Sequence, residues 1–207
     1  MKLKTGLAFA VIALVMMACR KKDIQPVIKL NGAKEVTLSL GESYVEAGAS
    51  AMDNRDGDIS DDILISGVVN KNKVGEYRVF YDVEDQEGNQ AATAIRFVNV
   101  VNDADFMIGT YEATPTCTGT MTAGQYHTSI RTSLTQNNEI IIRRVLFTVE
   151  DEPVIGKISG NDIIIPSQEI GDHTVSGSGT IIDNDFILNV TMDGGMTYDC
   201  TINHIKQ

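Results

Sequence analysis

Apolar and polar residues alternate with a period of two along most of this chain. Val36, Leu38 and Leu40 fall on one side of an extended segment, with Thr37 and Ser39 on the other. Tyr77, Val79, Tyr81 and Val83 repeat the pattern, and a period of two belongs to a half-buried strand. Turn signals separate the runs: Asn31-Gly32, Gly41, Asp56-Gly57, Val74-Gly75 and Glu87-Gly88-Asn89. Short strands at near-regular spacing predict a two-sheet β-sandwich over residues 24–102. After the polar hinge Asn102 to Asp105, eight strands are predicted over 103–207. They lie near 110–116, 125–135, 139–147, 154–159, 162–166, 174–182, 186–192 and 197–205. Tight connections such as Gly160-Asn161 and Asp183-Asn184 suit hairpins, so the strands should form an antiparallel meander. Eight strands in that order can close into a barrel and remove their edges, with an open sandwich as the alternative. Phe186, Leu188, Val190 and Met192 share one face, as do Tyr198, Cys200, Ile202 and His204. Such rows either fill a core or line a pocket for an apolar ligand.

The N-terminus breaks the alternation. Lys2 and Lys4 precede an uncharged, mostly apolar run from Gly6 to Ala18, and Cys19 follows directly. The run is shorter than the roughly 20 apolar residues that span a membrane, and its flanks are those of a removable export signal. Its end resembles a bacterial lipobox, although Met16 and Met17 depart from the usual residues. That resemblance implies cleavage after residue 18, acylation of Cys19 and a tether over 19–23. The location expected is an outer-membrane lipoprotein. Arg20, Lys21 and Lys22 stand where surface-displayed lipoproteins carry acidic residues, which leaves both faces of that membrane open.

Charge removes one class of partner. Without Lys2 and Lys4 the remainder holds 15 basic against 28 acidic side chains, a formal charge of −13. Such a chain repels phosphate backbones, which excludes nucleic acid. Cys117 and Cys200 remain as an even pair in an exported protein, and oxidising surroundings favour a disulfide over two buried thiols.

Two segments, GESYVEAGASAMDNRDGDIS and VNKNKVGEYRVFYDVEDQEGNQA, closely resemble bacterial immunoglobulin-like domains of exported proteins and pesticidal crystal proteins, related to the hyalin-repeat group. The resemblance implies a spacer or adhesion module without enzyme activity. Acidic residues crowd its loops, Asp53, Asp56, Asp58, Asp61 and Asp62 in one and Glu84, Asp85 and Glu87 in the other. Calcium suits such oxygen donors, and Asp53, Asp56, Asp58 and Asp85 are the candidate ligands. An EF-hand does not fit, because the twelfth position counted from Asp53 is Leu64. The resemblance places both loops at one end of the sandwich, where Asp53 and Asp85 could meet. The same residues also serve as ordinary turn formers.

The order GTYEATPTCTGT, QYHTSI, IIIRRVLF, GNDIIIPSQ, TVSGSGTI and YDCTINHIK is similar to lipocalin-like C-terminal domains of Bacteroidetes lipoproteins. The expected fold is all-β, an Ig-like β-sandwich followed by an eight-stranded lipocalin-like barrel. His127, His173 and His204 form no HExxH motif, CxxC is absent, and Ser176 to Thr180 lacks the lysine of a phosphate loop. No enzyme is expected. The outline resembles accessory lipoproteins of glycan-uptake systems, which implies glycan binding. With no Trp present, Tyr111, Tyr126 and Tyr198, together with His127, are the candidate contacts. The alternatives are a structural or adhesion protein with an envelope partner and an apolar-ligand lipocalin-like module.

Overall fold

Most of the alternating segments fold as strands. The computed structural model describes residues 22–119, 123–146, 148 and 152–207. Cys19, the export segment 1–18 and tether residues 19–21 lie outside the described residues. The first strands are β1 (Val27–Leu30), β2 (Glu35–Ser39), β3 (Ala49–Asp53), β4 (Gly57–Asp58), β5 (Leu64–Ser66), β6 (Gly75–Asp82) and β7 (Ala94–Val101). One sheet has the order β1-β3-β4 and the other β2-β7-β6-β5. Val79 and Tyr81 are buried while Arg78 and Asp82 are exposed, as the pleat requires. Ala51, Ile59 and Val83 form a buried cluster backed by Ile28, Ile63 and Ala91. Compact units divide the chain so that residues 45–69, 78–97 and those up to 36 belong to one, and 37–44, 70–77 and 98–207 to the other. Strands β2, β6 and β7 therefore contribute to both.

Within the first unit the largest fully buried side chain is Arg96 on β7. Its guanidinium donates to Asn31 O at 2.7 Å, Gly48 O at 3.0 Å and Tyr81 Oη at 3.1 Å. The Tyr81 hydroxyl donates in turn to Glu46, whose carboxylate lies 3.6 Å from Arg96. A buried cation persists only when its donors are matched in this way. The network joins two turns and two strands through one side chain.

The remaining strands are β8 (Gly109–Cys117), β9 (Tyr126–Thr132), β10 (Glu139–Ile142), β11 (Val154–Ser159), β12 (Asp162–Ile170), β13 (His173–Ile182), β14 (Asp185–Asp193) and β15 (Thr197–Lys206). They form a closed barrel in which each strand pairs antiparallel with its neighbours in sequence and β15 pairs with β8. The predicted strand over 139–147 ends at Ile142. Arg143 and Arg144 follow it, Val145 and Leu146 are buried, and Leu146 takes a positive φ of 52°; residue 147 lies outside the described residues. β12 runs past Pro166 to Ile170 with a register shift between Ile165 and Gln168. Proline has no N–H for the ladder, and the irregularity accommodates it.

The barrel interior is filled. Phe186, Leu188, Val190 and Met192 point inward, and Cys200, Ile202 and His204 meet them across the β14–β15 ladder. Ile130, Ile140, Ile142, Ile163, Ile165 and Val175 complete the same cluster. Gly177 and Gly179 mark a close approach: a Cβ there would lie 2.4 and 2.3 Å from backbone oxygens of β14. The glycine run is therefore a tightly coiled strand. A short 3-10 turn, Asp105–Met107, places Met107 in the core, where Tyr111 donates to its carbonyl at 2.8 Å. Among the described residues no helix is long and apolar enough to cross a membrane.

Cys117 and Cys200 face each other in the β8–β15 ladder and are bonded. The link closes a loop of 83 residues, for which chain entropy predicts a contribution of about 4.5 kcal/mol. Reduction, or replacement of both cysteines by serine, should lower the denaturant midpoint by up to that amount without changing the circular dichroism of the native state.

His204 is 1% exposed and stacks on Phe186 with ring centroids 4.1 Å apart. Neither ring nitrogen has a hydrogen-bond partner, and burial pushes its pKa from 6.5 down to about 4. The unfolded chain gains a proton below pH 6.5 that the fold excludes. The contribution is full above that pH and is lost on descending to about 4, on the order of 3 kcal/mol in total. Denaturant melts across this window should show the slope, and His204→Phe should flatten it.

Candidate functional site

Two polar assemblies emerge, one in each unit. The first stands on loops that follow strands. β3 ends at Asp53, and the Asn54 to Asp56 turn leads to Gly57, whose φ of 79° suits glycine. Asp53 Oδ1 accepts the N–H groups of Arg55 at 2.7 Å and Asp56 at 2.8 Å, and these donors hold its carboxyl below the usual range. Asp85 lies in the loop after β6. Burial pushes its carboxyl up, but the side-chain and backbone donors of Asn89 and the N–H of Glu87 outweigh that and leave it lowered.

One carboxylate oxygen from each of Asp23, Asp53 and Asp85 lies within 4.8 Å of the others. Asp53 and Asp85 thus meet as expected. Asp23 is the member that sequence reasoning missed, because it stands 30 residues from Asp53 with no pattern linking them. Asp56 does not join: its Oδ2 accepts from Gln86 N at 2.9 Å and ties the two loops together. Nor does Asp58, which accepts from the hydroxyl and N–H of Ser60 and is held below the usual carboxylate range by them. Those two candidates are turn residues. Asn54 accepts from Ile24 N at 3.2 Å and donates to Lys22 O at 2.8 Å, which seats the incoming chain beside the cluster.

The second assembly is the outer face of the barrel. Ser178 stands opposite Asn189, Asn189 opposite Thr201, and Thr201 opposite Thr116. This polar row crosses four strands. Beside it Thr191 faces Asp199. Thr201 donates to Asn189 Oδ1 at 2.9 Å and Thr191 to Asp199 Oδ1 at 2.7 Å. The residues line a shallow depression together with Thr118 and Gly177. They were legible as the polar positions between the apolar rows, but alternation alone does not separate a binding face from a solvated one.

The aromatic candidates are corrected. Tyr111 is fully buried, edge-on to Phe186 at 5.0 Å, and burial pushes its hydroxyl up to about 12. Tyr126 is buried beneath the Arg144 guanidinium, and its hydroxyl accepts from Leu146 N at 2.9 Å. Both are core residues because their alternation parity turns them inward, so neither offers a stacking face to a sugar. Tyr198 is half-buried against the core with its hydroxyl 3.8 Å from Met196 Sδ. His127 is exposed on the outside of β9, beside Arg143 and Arg144.

A two-sheet domain followed by a closed eight-stranded antiparallel barrel defines an all-β protein of two modules. Residues 28–100 match the family model for the Ig-like domain of bacterial surface proteins, so the first module is Ig-like. No curated protein matches the chain. Among solved structures, a lipoprotein of Bacteroides thetaiotaomicron aligns with 88% of this chain and 100% of its own, at 18% identity and a TM-score of 0.37. The CBM51-2 and INT domains of Clostridium perfringens ZmpB, in complex with GlcNAc, align with 87% of this chain at 15% identity and a TM-score of 0.32. A second structure of those domains aligns with 82% at 16% identity and a TM-score of 0.28. The chain spans 44% and 42% of those two ZmpB chains.

Asp85 accepts three N–H bonds, whereas Asp58 serves only Ser60. Orphaning buried donors is destabilising, so Asp85→Ala should lower the melting temperature by several degrees and Asp58→Ala by much less, as read by differential scanning calorimetry.

Proposed function

We propose that this chain is a non-enzymatic exported lipoprotein, anchored to the outer membrane through Cys19, whose Ig-like spacer presents a barrel that binds a glycan on its outer polar face. The observation that carries this reading is the row Ser178, Asn189, Thr201 and Thr116, with Thr191 and Asp199 beside it. Cross-strand neighbours stand about 5 Å apart, so the row presents a ladder of hydroxyl and amide groups that can both donate to and accept from sugar hydroxyls. Two of the pairs are already hydrogen-bonded to each other, so the face is partly organised before a ligand arrives. The filled interior argues against an apolar ligand inside the barrel. Asp199 is the carboxylate among the lining residues, and glycoside hydrolysis ordinarily uses two.

A second reading has its own observation. β5 stands at the edge of its sheet, with Leu64 73% and Ile65 49% exposed. An unpaired apolar edge suits strand addition by a protein partner, which would make the chain a structural or adhesion component.

Affinity electrophoresis of the full chain in detergent, across plant and host polysaccharides, separates the two. Retention by at least one polysaccharide is expected, weakened at least about tenfold by Asn189→Ala or Asp199→Ala. Absence of retention, with capture of an envelope protein that Leu64→Lys abolishes, assigns the chain to the second reading. Protease shaving of intact cells supplies a further check, since a protected chain cannot bind external polymers.

A further inference from the structure

The geometry points to a calcium site formed by Asp23, Asp53 and Asp85, which fastens the end of the N-terminal tether to the loops after β3 and β6. Three oxygens within 4.8 Å of one another would not alone make a site, since exposed acidic clusters are common. A second observation supplies the reason. Asp53 is 7% exposed, its Oδ2 is buried, and that oxygen has no hydrogen-bond partner. Asp23 Oδ1 is likewise buried and unpartnered. The other oxygens of the cluster are satisfied: Asp53 Oδ1 by the N–H groups of Arg55 and Asp56, and Asp85 by Glu87 and Asn89. Asp23 Oδ2 takes Asn89 Nδ2 at 2.9 Å and lies 3.3 Å from Arg55 Nη1.

Buried acceptors without donors are costly, and anionic ones most of all. Protein donors fill one oxygen each of Asp23 and Asp53 and leave Asp23 Oδ1 and Asp53 Oδ2 to a cation, while Asp85 can share an oxygen through its second lone pair. Arg55 does not play that part for Asp53, because its guanidinium is spent on Asp23 and on Glu87 at 2.8 Å. An all-oxygen site drawn from separate loops suits calcium, which accepts irregular geometry and completes its shell with water. Magnesium demands a near-ideal octahedron, and zinc favours nitrogen and sulfur. The site differs from the four-carboxylate set read from the sequence, since Asp56 and Asp58 are bonded elsewhere and Asp23 takes part. Three carboxylates without a dedicated loop correspond to the weak sites of extracellular modules, with a Kd of roughly 10⁻⁴–10⁻³ M.

The test uses the full chain in detergent after removal of divalent ions. Calorimetric titration should show one calcium per chain, and millimolar calcium should raise the melting temperature more than the same concentration of magnesium. Asp53→Asn should weaken calcium binding at least about tenfold, while Asp58→Asn should leave it unchanged. If Asp53→Asn fails to fold, Asp23→Asn carries the test, because Asp23 precedes β1 and belongs to neither sheet. Absence of heat and of any thermal shift at 10 mM calcium overturns the site, as does full-strength binding by Asp23→Asn. An equal response to magnesium overturns the choice of ion.

Discussion

Closure of the barrel is the constraint on which the larger unit depends, and it rests on one non-local ladder. β15 must travel back to β8, pairing Cys200 with Cys117 at one end and Lys206 with Tyr111 at the other. Until that seam forms, both strands present open edges and the apolar rows of β14 and β15 have no enclosed volume to fill. The covalent bond fixes one end. At the other, Lys206 Nζ donates to Phe106 O at 2.9 Å and Gln207 N to Thr110 O at 3.0 Å. Phe106 belongs to the short turn that puts Met107 into the core, so sealing the barrel end and closing its seam are one event.

The smaller unit solves a different problem. Beside its buried apolar residues, Ala51, Ile59, Val79, Tyr81 and Val83, polar networks fasten its turns. Arg96 supplies donors to two turn carbonyls and a tyrosine from a single buried position. Asp85 organises its own loop through N–H groups within four residues. In both cases a buried charge persists because backbone dipoles are aimed at it, and the geometry of the turns follows from satisfying that charge.

Much of this was legible in the chain because period-two alternation survives folding unchanged. The inward row Phe186, Leu188, Val190 and Met192 follows from parity, and the pairing of Cys117 with Cys200 from the even pair that is left once Cys19 is set aside. Failure came where a position's role depends on where its partners stand. Tyr111 and Tyr126 look like surface aromatics in a chain without Trp, yet parity turns them inward with the isoleucines. Nothing in the sequence singles out Arg96, whose role depends on two turns from distant segments that converge on it. Asp23 sits in a polar stretch beside three basic residues, and only the path of the chain brings it to Asp53 and Asp85. Acidic loops advertise themselves by composition, but which carboxylates share a space is settled by backbone N–H groups that occupy some oxygens and leave others bare.

The glycines of β13 connect barrel closure to the outer face. Gly177 and Gly179 let the backbone of β13 approach β14 more closely than any side chain allows. Strong coiling of this kind is what a small barrel needs in order to curve shut, and glycine or a bulge supplies it. The register shift in β12 serves the same end one strand away. Gly177 pairs with Val190 and Gly179 with Leu188, both inward-facing, so the room that the glycines leave lies on the inner side of the wall. Ser178 lies between them with the opposite parity, facing outward beside Asn189 in the depression that Thr201 and Asp199 also line. The close approach of β13 to β14 that helps to curve the wall therefore also sets how near Ser178 stands to Asn189 on its outer face.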